Sequence, residues 1–359
     1  MSQTDEPPDP PRFTSRHTAG FAGILRQLGI SLAVSTYQAG KLIFIRADGD
    51  TLNTHFRDFA SPMGLAYDPG SERLAVGARA QVWEFRNHCQ VAPKLDPVGH
   101  CDAAFLPVRC HASGDIRIHE IAWIGDEIWA VNTRFSCIST FDHLHSFVPR
   151  WRPPFVSALS PDDRCHLNGM AVSDGAIRYV TCLGRTDSAG GWRDGKANGG
   201  CLLDYPSGEV VLGGLSMPHS PREYQGKLWI LESGIGALSV VDPVAGTREV
   251  VIKLPGFTRG LDFCGPFAFV GLSQVRESAV FSGIPLVEAV PDRSCGVWVV
   301  DLRSGELVAF LQFEGSVQEI FAVQVLPDKR FPDLINEPGE VLDSSFLLSQ
   351  ESLREVPAG

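Results

Sequence analysis

The residues of this chain that could do chemistry are polar groups standing near the start of short apolar segments. The stretch Cys165-His166-Leu167-Asn168-Gly169-Met170-Ala171-Val172 sets the pattern: Asn168 beside a glycine, an apolar run, a turn, then a second apolar run at Ile177-Arg178-Tyr179-Val180. Corresponding places elsewhere carry His119 and Glu120, His219 and Arg222, Arg259 and Asp262, and Glu319. Two imidazoles, two guanidiniums and three carboxylates exceed what packing demands, because buried charge is costly unless it is paired or binds something. Mutual pairing of the arginines and carboxylates is the plainer reading, and a ligand or reaction site is the functional one. Two chemistries suit the functional reading. His119 and His219, with a carboxylate from Glu120 or Glu319, make a ligand set for one divalent ion such as zinc or iron. Without a metal, His119 or His219 would serve as general base while Arg222 or Arg259 holds an anion.

Residues so far apart need a fold that gathers them. The layout recurs at Ser61–Tyr67, Ile118–Trp123, Pro218–Tyr224, Phe257–Phe263 and Val317–Ala322. Second apolar runs follow most of these, as in Glu127–Val131, Lys227–Leu231 and Pro266–Val270, and outer runs end in Asp at Asp142, Asp242 and Asp301. The spacing is near the roughly 40–50 residues of a propeller blade. Longer steps point to insertions over 88–115 and 274–294. We therefore expect an all-β, six-bladed β-propeller whose inner strands line a central channel, with His119, Asn168, His219, Arg259 and Gln318 at matching positions. The chain opens with three strands lacking an inner partner (Ser31–Tyr37, Lys41–Arg46, Leu52–Phe59) and closes with an inner strand, Val317–Leu326, lacking outer ones. Joining them completes the sixth blade and removes an open edge. Residues 1–20 read as a disordered tail, with a short helix from Phe21 to Gly29, 21–328 as the propeller, and 329–359 as a tail packed outside.

Three further features invite a functional reading. The glycine-rich loop Gly184–Arg193, with Trp192 and Arg193, suits a lid over the channel mouth as well as a plain surface hairpin. Cys165 and His166 are adjacent, so on a strand they would point to opposite faces, which argues against a nucleophile and base pair. His88-Cys89, His100-Cys101 and Cys110-His111 lack the spacing of a zinc site and read as loop.

Composition narrows the classes. A net charge of −11 argues against nucleic-acid binding. No run of about 18 apolar residues is present, so no membrane span is expected. The acidic, proline-rich start is not a secretory signal, and nine cysteines without a framework point to reduced thiols and the cytoplasm.

The strings Ser35–Leu42, Cys165–Ala171, Thr186–Arg193, Gly214–Arg222 and Leu254–Leu261 resemble a bacterial family of conserved hypothetical proteins known only as a domain of unknown function. The resemblance implies no activity. It points to His111, Asp115, His119, Asn168, His219, Ser220, Arg222 and Arg259; the family pattern has Asp where this chain has Glu120. A looser likeness, to gluconolactonase-type six-bladed propellers, would put a divalent cation such as calcium on the channel axis.

The reading that results is an enzyme acting in the channel mouth on a small polar or anionic substrate or a peptide side chain. His119, His219, Arg222 and Arg259 would be catalytic, and Asn168, Ser220, Asp262, Trp192 and Arg193 would bind substrate. The reaction would be a metal-assisted or His-based hydrolysis, ring-opening or proton transfer. The alternative is a non-catalytic propeller that binds a protein or polysaccharide partner.

Overall fold

The computed structural model describes residues 13–275 and 282–357. Six antiparallel sheets succeed one another along the chain. Blade 1 is Leu65–Asp68, Arg73–Gly77, Gln81–Asn87 and Ala103–Ala112; blade 2 is Ile118–Ile124, Glu127–Asn132, Cys137–Thr140 and Val148–Trp151. Blade 3 is Leu167–Ser173, Ala176–Cys182, Gly200–Asp204 and Val210–Leu215; blade 4 is Pro218–Tyr224, Lys227–Glu232, Ala237–Asp242 and Thr247–Lys253. Blade 5 is Phe257–Cys264, Phe267–Ser273, Gly296–Asp301 and Glu306–Gly315. The first strands of neighbouring blades lie against one another around the channel.

The sixth blade joins the two ends of the chain. Ala322–Pro327 is its inner strand and Ile30–Thr36, Lys41–Asp48 and Thr51–Asp58 are its outer ones. Ile30 stands opposite Pro327 and Ser35 opposite Ala322. The closure read from the sequence is thus the one the fold uses. Its seam is apolar: Leu32, Val34, Val323 and Val325 are buried with Phe269 and Phe313. Each such side chain contributes about 1.5–3 kcal/mol on leaving water. Helix Ala19–Leu28 covers this cluster with Phe21 and Leu25 and stops at Gly29, whose φ of 68° is left-handed.

Hydroxyl groups at the ends of second strands tie five of the six blades to the next; blade 1, whose second strand ends in Gly77, meets blade 2 through the Gly64 N–H and the Ile118 carbonyl instead. Thr133 donates to the Leu167 carbonyl at 2.6 Å, and Ser273 both donates to the Ile320 carbonyl and accepts from the Ile320 N–H at 3.0 Å. Ser35 reaches the Met63 carbonyl and Ser233 the Thr258 carbonyl in the same way. In blade 3 the reach is longer: Thr181 donates to Asn168 Oδ1 at 2.7 Å, and Asn168 Nδ2 donates to the Pro218 carbonyl at 2.8 Å. These contacts set the frame of the ring. The residues following the clasped carbonyls of Leu167, Pro218, Thr258 and Ile320 are Asn168, His219, Arg259 and Phe321. Phe321, not Gln318, therefore matches the other inner-strand positions, because 317–321 precede the strand instead of forming it.

Two expectations about the periphery change. Phe13–His17, assigned to a disordered tail, is a strand paired with Glu306–Gly315. The ring of Phe13 lies tilted against that of Phe56, centroids 4.9 Å apart, giving that segment something to bury and covering an open edge. The supposed insertion over 88–115 contains the outer strand of blade 1, Ala103–Ala112. Its edge is covered in parallel by Pro332–Leu334 from the C-terminal segment. Of the insertion over 274–294, residues 276–281 lie outside the described residues and Pro285–Ala289 is a short helix.

Candidate functional site

A cavity of about 510 Å³ opens at the channel mouth, and all six blades contribute to its lining. Its chemistry comes from His119, His166, His219, Arg259 and Glu319, and its apolar wall includes Trp192, Phe257 and Phe321. A repeated backbone device aims the imidazoles. Arg117, His166 and Met217 precede their inner strands in left-handed conformation, with φ of 53°, 49° and 47°. Non-glycine residues hold that conformation at a cost of about 1–3 kcal/mol, so the surrounding structure must enforce it. His119 and His219 stand two residues after Arg117 and Met217, and each donates its Nδ1 proton back to that residue's carbonyl, at 3.1 and 3.0 Å. His219 Nδ1 also lies 2.8 Å from Ser233 Oγ. Both tautomers are thereby set, leaving Nε2 as an acceptor.

His166 is held differently. Its Nδ1 meets the Asp163 carboxylate at 2.9 and 3.0 Å. Its ring lies edge-on to His119, centroids 4.8 Å apart, and 4.3 Å from the ring of Trp192. Asp163 also draws Arg117 at 3.4 Å and Arg193 at 4.0 Å.

Burial pushes His119 well below the ordinary imidazole range, helped by His166 and Arg259 close by. His219 is pushed down in the same way, by burial and then by Arg259 and His166. Both are neutral at physiological pH. Arg259 pairs with Glu319 at 3.1 Å and lies over the Phe321 ring, 3.5 Å from its centroid. Burial brings its guanidinium down to about 10, against the pull of Glu319. It stays charged. Burial raises Glu319, and Arg259 opposes that rise. At the rim Arg79 is exposed, and its guanidinium has no ion pair among the described residues.

Other expected site residues lie elsewhere. Glu120 pairs with Arg222, and both line a separate cavity of about 320 Å³ with Tyr67, Trp123 and Gln324. Asp262 is saturated: it accepts from Val325 N–H at 2.7 Å, Gln324 Nε2 at 2.8 Å and Phe263 N–H at 2.9 Å. Burial raises it to about 6. Asn168 is spent on the blade 3 clasp, and Ser220 accepts from Gly260 N–H at 3.3 Å, so neither lines the mouth cavity. Asp115 stands at the rim beside Arg134, while His111 bonds to the Ser146 carbonyl away from the mouth. The metal ligand set does not converge, because Glu120 is held by Arg222 at the separate cavity. Among the described residues no group of three His, Cys, Asp or Glu is placed to hold an ion. Trp192 is 2% exposed and forms part of the wall, with Arg193 at its outer side.

His166 and Asp163 are the residues that strand logic passes over. Opposite faces hold for adjacent residues within a strand, but the strand starts at Leu167, and the left-handed turn at His166 frees its ring to enter the cavity. The one sequence signal was the aspartate three positions earlier.

A six-bladed β-propeller with a polar cavity at one channel mouth is the class that this fold and site define. The chain belongs to the family described as domain of unknown function DUF4915, whose model matches residues 19–335. A search of curated proteins finds none that matches. Among solved structures the fold is similar to a chain in the crystal structure of a nidogen/laminin complex. The TM-score is 0.50 at 10% identity, covering 84% of this chain and 99% of that one.

Proposed function

We propose that the mouth cavity binds a small polar or anionic molecule and moves a proton on it, as an acid–base enzyme of the hydrolytic, ring-opening or proton-transfer type. The observation that carries this reading is the Asp163–His166 pair set against neutral His119, with Arg79 at the rim. The carboxylate fixes His166 with Nε2 as acceptor and stabilises the imidazolium formed when that nitrogen takes a proton. His119 and His219, neutral and with Nε2 unprotonated, would accept hydrogen bonds from substrate hydroxyl groups. Arg259, backed by Glu319, and the free Arg79 would hold an anionic group. Arg222, Asp262, Asn168 and Ser220 are outside this reading; they hold the ring together. Nine unpaired cysteines are consistent with a reducing compartment such as the cytoplasm.

The test is a panel of lactones, carboxylic esters and phosphate monoesters offered to the parent, His166→Ala and Asp163→Asn proteins. With a substrate found, His166→Ala should lower turnover by about 10²–10⁴-fold while leaving binding in place. Full turnover in that variant would overturn the assignment.

A further inference from the structure

Behind the cavity wall, blade 3 holds a cluster of thiols that the proposed reaction does not use. Cys182 and Cys201 are direct partners across adjacent antiparallel strands. Their sulfurs are 3.2 Å apart. Cys165, which immediately precedes His166, is fully buried in the same apolar cluster. A disulfide needs neighbouring Cα atoms and sulfurs able to close to about 2.05 Å, a shift of roughly one ångström here. Directly opposed antiparallel residues have Cα atoms about 4.5–5.5 Å apart, inside the range a disulfide spans.

We propose that Cys182 and Cys201 are an oxidation site, closing into a reversible cross-strand disulfide when hydrogen peroxide is the oxidant. Cys201 is the outer of the three thiols, at 4% exposure against none for Cys165 and Cys182. It is also the one whose acidity is raised, first by its hydrogen bond with Cys182 and further by the nearby Arg185 charge. Cys182 moves the other way, through its hydrogen bonds with Cys165 and Cys201 and through burial. The Cys201 thiolate therefore attacks. One peroxide oxygen transfers to its sulfur, the O–O bond breaks, and the other oxygen leaves as water once protonated. Cys182 sulfur then displaces the hydroxyl from Cys201, forming the S–S bond and releasing a second water. Two thiols lose two hydrogens and two electrons, and one peroxide becomes two waters. A small thiol reverses the step by exchange.

The site bears on the cavity through the backbone. Leu183, next to Cys182, lines the cavity, and its N–H meets the carbonyls of Cys165 and His166 at 3.1 and 3.2 Å. Drawing Cys182 toward Cys201 pulls on the segment that seats His166.

The test uses the full chain with exposed Cys89 and Cys110 changed to serine, so that surface thiols do not compete. Reduced protein is treated with stoichiometric hydrogen peroxide and examined by intact mass and non-reducing peptide mapping. The expected result is loss of two hydrogens, a crosslink between the peptides holding Cys182 and Cys201, and full reversal by dithiothreitol. Cys201→Ser should abolish the loss; if that variant does not fold, the peptide map of its parent decides alone. A crosslink from Cys182 to Cys165, oxygen addition without a crosslink, or no change in mass would each overturn the assignment.

Discussion

His119 and His219 share one local design: a left-handed residue, one spacer, then an imidazole that donates back to the left-handed residue's carbonyl. Burial keeps both rings neutral against the pull of that hydrogen bond, which favours the charged form, and this has a measurable consequence. Free imidazole titrates near ~6.5. Folded values below it mean that, as pH falls under ~6.5, the unfolded chain takes up protons the folded chain refuses, so stability falls with acid. Asp262 acts with the opposite sign: raised to about 6, it keeps its proton in the fold from ~4 upward, so its share of stability falls as pH rises through that window. The two effects overlap between pH 5 and 6, so a comparison of variants isolates one of them. His219→Asn keeps a donor for the Met217 carbonyl but cannot titrate. Its denaturation midpoint should drop less than the parent's between pH 7.5 and 5.5; an equal drop would show that His219 is not held neutral. His119, His219 and Arg259 line the mouth cavity as the blade alignment expects, while Asn168, at the matching position of blade 3, does not. His166 was not legible in the sequence, since its side-chain direction depends on a backbone turn that residue types alone do not announce.

At the level of elements, hydroxyl clasps join blades alongside apolar packing. Ser273 is the strongest case, serving Ile320 as both donor and acceptor inside a buried seam. Ser273→Ala leaves a buried carbonyl and N–H without that partner, and should cost about 1–3 kcal/mol in chemical denaturation. A change of a few tenths would show that the clasp is incidental. Strand pairs read well from sequence, because alternation and turn residues mark them. Asn168 shows where such reading stops. A polar residue at the start of an inner strand fits a ligand group and a clasp equally, and only the positions of Thr181 and Pro218 decide for the clasp.

For the whole molecule, closure is the controlling feature. The seam places Ala322–Pro327 against Ile30–Thr36, so the ring exists only when both ends are present. Ending the chain before Ala322 should prevent folding, seen as loss of the cooperative thermal transition. Ending it after Asp343 removes, among the described residues, apolar side chains that are exposed, such as Phe346 and Leu353, and should leave that transition in place. Six blades and their closure followed from repetition along the chain. The edge strands Phe13–His17 and Pro332–Leu334 did not, because each is short and gains its order from the blade it covers. Closure also makes the mouth cavity, where Arg259 would meet an anionic ligand. The most direct measurement is calorimetric binding of a panel of small carboxylates and phosphate esters to the parent and to Arg259→Gln at pH 7.5. We expect at least one to bind the parent and lose about tenfold or more in the variant, from the loss of a charged hydrogen bond of about 1.5–3 kcal/mol. Equal binding to both proteins, or no binding by any member of the panel, would contradict the account.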